Sequence, residues 1–400
     1  MRKNIVINDP KEKELVAELE KRTDIKAERI KRLLALPDLT KKQNSPVKIL
    51  VDQIIGLLRF KDFDLVDFPR IVTVEENFDI LNAPKDHPSR RESDTYYTDN
   101  IHILRTQTTA MWSYYLKSKD VLERLEKEGE VKALASGIVY RKDEIDRKHF
   151  PAFHQIDGLL ICRKDKKVIT LDDLKEVETE MTKAIFGPDV EFRFLVDSFP
   201  FTDPSVQIEI MYNGDWMEVV GSGLVHPQVL KNLNIDPAVY NGWAFGYGIE
   251  RLAMVKMGIP DIRILWSDDP RITSQFKDIN SKYKEVSKYP ETSRDISFVI
   301  NKDINLNNYY EIVRDFVPMT SSSRILDGEA VGTENSIPII EEVKLIDSYE
   351  NEEKFGADKK SYTFRITYRS PERTLTNDEV NKIQEEIRAK TAQDLNAVLR

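Results

Sequence analysis

The stretch ASGIVYRKDEIDRKHFPAFHQIDGLLI (residues 135–161) contains two β-patterned runs on either side of a charged loop. Alternate side chains of a strand share a face, which places Val139 with Arg141 in the first run. In the second run the shared face carries Gln155 and Asp157 beside apolar residues. A solvated hairpin with surface ion pairs is the simpler alternative, but it leaves a cluster of aromatic and histidine residues unexplained. These are His149, Phe150, Phe153 and His154. We therefore predict an antiparallel hairpin with a polar binding face.

The chain on both sides of this hairpin predicts an α+β protein. Short β-patterned segments alternate with helices from Phe63 to about Phe276, which is typical of an antiparallel-dominated sheet. The last part of the chain has the order β-α-β-β-α-β of a ferredoxin-like domain. The predicted boundaries are a helical extension over 1–45, a large domain over 46–275, a linker over 276–288 and a small domain over 289–400. Two helices predicted between 9 and 36 suit a stabilising arm better than a catalytic role, and 317–341 reads as a surface loop.

Composition limits the class of protein. Hydrophobic residues are 40% and charged residues 32%, as in ordinary globular proteins, and no apolar run approaches the ~20 residues of a membrane helix. The N-terminal residues lack a signal-peptide core and are too acidic for a transit peptide, so we expect a cytoplasmic location and no membrane partner. Because Cys162 is the single cysteine and the five histidines do not cluster, no metal site is predicted. The net charge of −9 argues against a nucleic-acid partner. Evidence for such a partner would have to come from particular residues and motifs.

Two further stretches have the composition of a binding site. In GWAFGYGIERLAMVKMGIPDIR (242–263), closely spaced glycines precede a predicted helix. Arg251 lies in its first turn, where the helix dipole disfavours a cation unless an anion or a ring binds there. In DSFPFTDPSVQIEI (197–210), Phe199 and Phe201 should project to one side of an extended segment. Ordinary core packing explains these two rings equally well. As parallel walls they would form a slot for a flat apolar side chain.

Taken together, these three stretches resemble motif 2, motif 3 and the amino-acid pocket of class II phenylalanyl-tRNA synthetases. Upstream, FPRIVTVEENFDILNAPKDHPSR (68–90) resembles motif 1 and the segment after it. The stretch GSGLVHPQVLKNLNID (221–236) resembles the glycine-rich substrate strand, and 289–375 resembles the ferredoxin-fold anticodon-binding domain. This fused arrangement is similar to the monomeric, organellar-type members of the family.

The resemblance implies that ATP and L-phenylalanine form phenylalanyl-adenylate, after which the acyl group passes to tRNA(Phe). It implies catalytic roles for Arg141, His149 and Arg251, and ATP binding by these three with Asp143 and Phe153. Magnesium is expected to arrive on the ATP phosphates. The implied amino-acid site consists of Thr109, Trp112, Gln155, Asp157, Phe199, Phe201, Glu218, Gly221, Gly223, Ala244, Phe245 and Gly246. Arg365, Arg369 and Arg373 are candidates for tRNA binding.

This chain departs from the family in one loop. The usual Thr-His-Thr-Ser, followed by Gln three residues later, reads here as Thr106-Gln107-Thr108-Thr109 followed by Trp112. The change removes an amide from the expected amino-group site. In addition, Asp157 replaces the usual Glu and Asp203 replaces another. The altered loop favours one alternative, a non-catalytic synthetase-like protein that binds tRNA or amino acid for regulation. Two others stay open: a catalytic subunit that needs a separate partner chain, and a synthetase for another amino acid.

Overall fold

The structure is a computed structural model that describes residues 2–212, 214–286, 289–316, 340–370 and 373–400, and the backbone of 325–326 and 329–330. The helices are α1 (Pro10–Glu20), α2 (Ile25–Leu34), α3 (Pro46–Ile55), α4 (Met111–Leu116), α5 (Lys119–Glu128), α6 (Leu171–Phe186), α7 (Pro227–Asn232), α8 (Ile249–Met257), α9 (Pro270–Thr273), α10 (Asn307–Arg314), α11 (Glu352–Phe355) and α12 (Asn377–Asp394). The strands are β1 (Asn4–Val6), β2 (Asp64–Asp67), β3 (Ile71–Thr73), β4 (His102–Leu104), β5 (Glu130–Tyr140), β6 (Ala152–Arg163), β7 (Phe192–Phe199), β8 (Thr202–Tyr212), β9 (Asp215–Val225), β10 (Tyr240–Gly248), β11 (Thr292–Asn301), β12 (Ile325–Leu326), β13 (Glu329–Ala330), β14 (Ile340–Tyr349), β15 (Lys359–Tyr368) and β16 (Val398–Leu399).

An eight-stranded sheet forms the centre of the larger part of the chain. Its strand order is β1-β2-β5-β6-β10-β9-β8-β7. Only the pairs β1–β2 and β2–β5 are parallel, and the other neighbours are antiparallel, which confirms the predicted α+β class. Ala135 pairs with Asp157 and Val139 with Phe153, so the predicted hairpin and its shared face are present.

The two faces of this sheet are buried against different helices. One face packs on α1, α2, α3, α6 and α8 around residues such as Leu134, Ile156 and Phe245. The other face packs on α4, α5 and α7 around Ala133, Leu159 and Ala244, and the candidate site opens on this side. Because β6 and β10 are buried on both faces, their alternate residues belong to two separate environments.

The N-terminal residues form part of the folded body. Asp9 caps α1, Pro10 is its first residue, and Leu15, Leu19 and Ile30 are buried, in agreement with the predicted pair of helices and stabilising arm. The next helix, α3, is also buried on one side, through Val47, Leu50 and Ile54. The strand β1, which the sequence pattern did not predict, adds a parallel edge strand to the large sheet.

The C-terminal sheet has the strand order β14-β15-β11-β16, with α10 and α12 packed on it, which is the predicted ferredoxin-like arrangement. A capping box between Thr376 and Glu379 starts α12. Most of the predicted loop at 317–341 lies outside the described residues. Among the residues described, no helix has the length and apolar character needed to cross a membrane.

Candidate active site

A cavity of about 530 Å³ lies on one face of the large sheet. Both Arg141, which follows β5, and Arg251, in the first turn of α8, border it. The predicted residues that line it are Thr109, Trp112, Arg141, Asp143, His149, Phe153, Gln155, Asp157, Phe199, Phe201, Glu218, Gly221, Ala244, Phe245, Gly246 and Arg251. Guanidinium groups from two distant stretches therefore converge on one space of ligand size.

The main chain and an aromatic ring hold Arg141 in place. Its Nε donates to the carbonyl oxygen of Thr106 at 2.9 Å, and its guanidinium carbon lies 5.1 Å from the ring centroid of Phe153. A guanidinium has five N–H donors, so the bond at Nε leaves those of the two terminal nitrogens for other acceptors. Arg251 is exposed, and its Nη1 donates to the carbonyl oxygen of Glu218 at 3.3 Å. Both guanidinium groups are thus oriented by neutral main-chain carbonyl oxygens, and these partners do not neutralise their positive charge.

A carboxylate that the sequence reasoning missed holds His149. Asp146 Oδ2 lies 2.9 Å from His149 Nδ1, and Asp146 Oδ1 accepts the main-chain N–H of His149 at 2.8 Å. The hydrogen bond to Asp146 raises the pKa of the His149 imidazole, and burial opposes this only in part. The pair therefore favours a positively charged imidazolium at the cavity edge.

Asp157 lies at the buried end of the cavity. It is 2% exposed, and its two oxygens accept hydrogen bonds from the hydroxyls of Thr108 and Thr109, each at 2.5 Å. Burial raises the pKa of Asp157 to about 6, while the two hydroxyls and Arg141 lower it. Because a Cβ on Gly246 would come within 3.0 Å of Asp157 Oδ1, the glycine leaves space for this carboxyl. A buried carboxylate with free lone pairs suits an ammonium group.

The rings of Phe199 and Phe201 are parallel, as predicted, but they do not form a slot. Their planes differ by 9° and their centroids are 5.9 Å apart. A third ring between two others needs about 3.5 Å on each side, so it does not fit between these two. The rings form one continuous apolar wall instead, and Trp112 meets Phe201 edge-on at 5.9 Å. Gly221 allows Phe199 to lie flat on β9, because a Cβ there would be 2.6 Å from that ring.

Two of the predicted pocket residues have other roles. Phe245 borders the cavity, but its ring lies on the opposite face of β10, 5.8 Å from Phe60, because neighbouring residues of a strand alternate. The prediction that this ring contributes to the phenyl-ring pocket is therefore wrong, whereas Ala244 does lie in the cavity wall. Gly223 does not border the cavity. A Cβ on it would come within 2.5 Å of the Pro204 carbonyl oxygen, so this glycine allows the close approach of β8.

Glu250, next to Arg251, is a site residue that the sequence reasoning did not find. It borders the cavity and is 2% exposed. Its carboxylate accepts the main-chain N–H of His154 at 2.8 Å and lies 2.6 Å from Nδ1 of that ring. The main-chain N–H of Leu39 lies 2.9 Å from the other ring nitrogen, Nε2, and Asp38 Oδ1 lies 3.4 Å from the same nitrogen. This chain of contacts fixes α8, and with it Arg251, to β6 and to the N-terminal arm.

The three arginines predicted to bind tRNA lie outside the cavity, in the C-terminal part. Arg365 pairs with Asp295 at 2.8 Å, Arg369 with Glu291 at 2.7 Å, and Arg373 with Glu379. Arg365 lies on the face of β15 opposite the buried Phe364 and Ile366, and Arg369 directly follows the end of this strand. In the described part of the chain, no group of three or more His, Cys, Asp or Glu side chains is arranged to hold a metal ion.

Comparison with known proteins agrees with this fold and site. Residues 31–276 match the family described as tRNA synthetases class II core domain (F), and residues 321–400 match the ferredoxin-fold anticodon binding domain. The first match covers more than half of the chain. The protein class defined by the fold and the cavity is thus that of the class II aminoacyl-tRNA synthetases.

Individual relatives narrow the class further. The chain is 37% identical to a chloroplastic/mitochondrial phenylalanine–tRNA ligase of Arabidopsis thaliana over 90% of its own length and 80% of the relative's. It is 35% identical to a probable mitochondrial phenylalanine–tRNA ligase of Drosophila melanogaster, with 82% and 77% covered. It is 31% identical to the mitochondrial phenylalanine–tRNA ligase of Saccharomyces cerevisiae (strain ATCC 204508 / S288c), with 90% and 88% covered. The chain belongs to the phenylalanine–tRNA ligase family.

The names of these relatives contradict the expected cytoplasmic location, because all three are named as organellar proteins. The expectation, which is wrong, rested on the acidic N-terminal residues. In the structure these residues form β1 and α1 within the folded body. Their composition therefore reflects the packing and capping of those elements and carries no information about targeting.

Proposed function

We propose that this protein attaches L-phenylalanine to tRNA(Phe) in two steps. Phenylalanine and ATP first give phenylalanyl-adenylate and pyrophosphate, and the acyl group then passes to the terminal ribose of the tRNA. The observation that carries the proposal is that Arg141, Arg251, Asp157 and an aromatic wall border the same cavity. It supplies positive charge for phosphates, a carboxylate for an ammonium group and an apolar surface for a phenyl ring.

In this proposal the protein aligns the reactants and supplies no nucleophile. Arg141 offsets the charge that develops at the α-phosphate as the amino-acid carboxylate attacks, and Arg251 braces the nucleotide from the other side. His149 contributes a further positive charge near the phosphates, with Asp143 and Phe153 beside the nucleotide. Holding two reactants in the reactive orientation lowers a barrier by up to ~7–11 kcal/mol.

Magnesium enters this reaction as part of the ATP substrate. Asp143, Glu218 and Glu250 border the cavity, but among the described residues no three acidic or histidine side chains form a cage for the ion. A cation that keeps its waters and is held through phosphate oxygens does not need such a cage.

The domain boundaries and the tRNA site complete the proposal. We assign the N-terminal extension to 1–45, the catalytic domain to 46–275, the linker to 276–288 and the anticodon-binding domain to 289–400. Arg365, Arg369 and Arg373 are assigned to tRNA binding on the exposed side of the C-terminal sheet and at the start of α12. We further propose that a monomer is active, since the chain combines both domains.

Phenylalanine-dependent exchange of pyrophosphate into ATP tests the activity. The purified chain is expected to catalyse this exchange, and both Arg141→Ala and Arg251→Ala should lower kcat by about 10²–10³-fold because each removes charge stabilisation. Arg193→Ala is a matched control, since Arg193 pairs with Glu209 on the exposed side of the edge strand β7. Absence of exchange in the wild-type chain would exclude the proposed reaction and leave a non-catalytic protein, the reading that the family comparison disfavours.

Charging of tRNA(Phe) by the isolated chain tests the monomer assignment. Sedimentation under assay conditions should give the mass of one chain, and the same sample should form phenylalanyl-tRNA. Activity that depends on an added second protein would show instead that the chain is one subunit of a larger enzyme.

A further inference from the structure

The side chain of Gln107 borders the cavity in the loop where this chain departs from the family motif. Gln107 precedes the short 3-10 turn at Thr108–Ala110, has an extended backbone and borders the cavity beside Thr109 and Asp157. The position bears a histidine in the motif that the chain resembles, and the amide expected five residues later is replaced by Trp112. An indole N–H can only donate a hydrogen bond, so Trp112 offers no acceptor to a bound ammonium group.

An ammonium group has three N–H donors and needs acceptor oxygens around it. The acceptors near Thr109 are already used in part by the protein. Both oxygens of Asp157 accept threonine hydroxyls, and Gln155 Oε1 accepts the main-chain N–H of Thr108 at 3.2 Å. Within the described part of the chain, by contrast, Gln107 Oε1 accepts no hydrogen bond. Among the residues that the structure describes, Gln107 Oε1 is therefore a side-chain acceptor bordering the cavity that no protein group occupies.

A main-chain contact determines how the Gln107 amide is turned. Its Nε2 donates to the carbonyl oxygen of Asn77 at 3.1 Å. A carbonyl oxygen only accepts, so the amide nitrogen has to face Asn77, and the amide oxygen is directed away from it. The choice between the two amide orientations is therefore set by the chemistry of the partner.

Asn77 is held firmly enough to act as this anchor. It is completely buried within a π-helical turn, Glu75–Asp79, a feature frequent at functional sites. Its Nδ2 donates to Thr106 Oγ1 at 2.8 Å, and its Oδ1 accepts the main-chain N–H of Thr106 at 3.1 Å. Asn77 thus fixes two successive residues of the loop, one through its side chain and one through its main chain.

We propose that Gln107 Oε1 accepts a hydrogen bond from the ammonium group of the bound amino acid, with Asn77 as the positioning residue. The amide that the loop lacks at position 112 is in this way supplied from position 107. The inference rests on the proposed function, because it presumes an amino-acid ligand in this cavity.

Two partial ligands separate this role from a general effect on the site. Phenylalaninol keeps the ammonium and lacks the carboxylate, whereas 3-phenylpropionate keeps the carboxylate and lacks the ammonium. In Gln107→Met, calorimetric affinities for phenylalanine and phenylalaninol are expected to fall by about 10- to 100-fold, as for the loss of a hydrogen bond to a charged group. The affinity for 3-phenylpropionate should stay within twofold of wild type. Gln53→Met is the matched control, because the Gln53 amide also donates to a main-chain carbonyl, that of Ala184, away from the cavity.

Equal weakening of all three ligands in Gln107→Met would overturn the proposal, because it would indicate a disturbed loop. No weakening of any ligand would also overturn it. Asn77→Ser should also weaken the binding of phenylalanine and phenylalaninol and spare 3-phenylpropionate, with smaller changes in affinity. An equal loss of affinity for phenylalaninol and 3-phenylpropionate would show that Asn77 does not position Gln107. These binding measurements need no ATP, so they are independent of the exchange assay that tests the overall reaction.

Discussion

Replacement of Glu178 by glutamine should stabilise the protein and remove part of its pH dependence. Glu178 lies on α6, is completely buried against the sheet, and neither carboxyl oxygen has a hydrogen-bond partner among the described residues. Burial raises the pKa of this carboxyl to about 8, against weaker opposing effects of Ser222 and Lys175. The folded protein therefore holds a proton on Glu178 at neutral pH that the unfolded chain releases.

The sign and size of the effect follow from this difference. Because the folded pKa is raised from 4.5 to about 8, the contribution of Glu178 to stability is fully present below pH 4.5 and is lost as the pH rises through about 8. One pKa unit corresponds to ~1.4 kcal/mol. At pH 7 the need to keep Glu178 protonated in the folded state therefore lowers the free energy of unfolding by about 3 kcal/mol. Glutamine does not titrate and so avoids this loss, but burying its amide N–H groups without partners destabilises the folded state by ~1 kcal/mol. A net gain of about 2 kcal/mol at pH 7 remains.

Thermal and urea unfolding between pH 5 and 8 test this expectation. For a domain of this size, 2 kcal/mol corresponds to about 4–8 °C in melting temperature. The gain should be near zero at pH 5 and grow towards pH 8. Glu176→Gln, an exposed position on the same helix, is the matched control and should change little. A Glu178→Gln protein that is less stable at every pH, or that keeps the wild-type pH slope, would refute the reasoning.

Three further predictions concern the cavity. Ala244→Gly should raise kcat/KM for para-bromophenylalanine relative to phenylalanine by about 10-fold in pyrophosphate exchange, the lower end of the range for added space in an apolar pocket. Unchanged selectivity, equal to that of a surface Ala238→Gly control, would show that Ala244 does not limit the pocket. Asp146→Asn removes the hydrogen bond that raises the pKa of His149, so the fall in exchange activity at alkaline pH should move to lower pH. Asp99→Asn is the control, because it removes a similar contact to His102 away from the cavity, and it should leave the pH profile unchanged. Identical profiles for the two variants would exclude a role for a charged His149. Tyrosine should be activated with kcat/KM only about 10²-fold below phenylalanine, because an apolar wall rejects an added hydroxyl weakly, and a far larger ratio would require a polar group against the ring.

The large elements were predictable because their signals are local. Alternation placed Gln155 and Asp157 on one face of β6, and the β-α-β-β-α-β order of segments predicted the ferredoxin-like sheet and helices. The three-residue strand β1 was not predictable, since its pairing with β2 depends on a chain segment about 60 residues away. A short apolar run carries no period from which a parallel edge strand could be recognised.

The site was predictable in its members and less so in its geometry. Spacing indicated that Phe199 and Phe201 point the same way, but only the distance between the rings shows that they form a wall and leave no slot. By the same alternation rule, the neighbours Ala244 and Phe245 cannot point to the same face of β10. The error was to assign both side chains to the phenyl-ring pocket. Asn77 and Glu250 act through buried contacts to residues about 30 and 96 positions away, which no local pattern reports.

The charge of the chain illustrates how a correct count leads to a weak inference. A net charge of −9 argues against nucleic acid, and Arg365, Arg369 and Arg373 are each paired with a carboxylate. The exposed ion pairs Arg365–Asp295 and Arg373–Glu379 contribute only about 0–1 kcal/mol, so exchanging the carboxylate for a phosphate costs little there. Arg369 is held more firmly, because it also pairs with the largely buried Glu341. The pairing with Asp295, Glu291 and Glu379 also holds the three long side chains in one conformation, which would lower the entropy cost of the proposed phosphate contacts. Net charge averages over the whole surface, whereas phosphate contacts depend on a few oriented guanidinium groups. An acidic protein can therefore bind RNA through arginines that its own carboxylates keep in position.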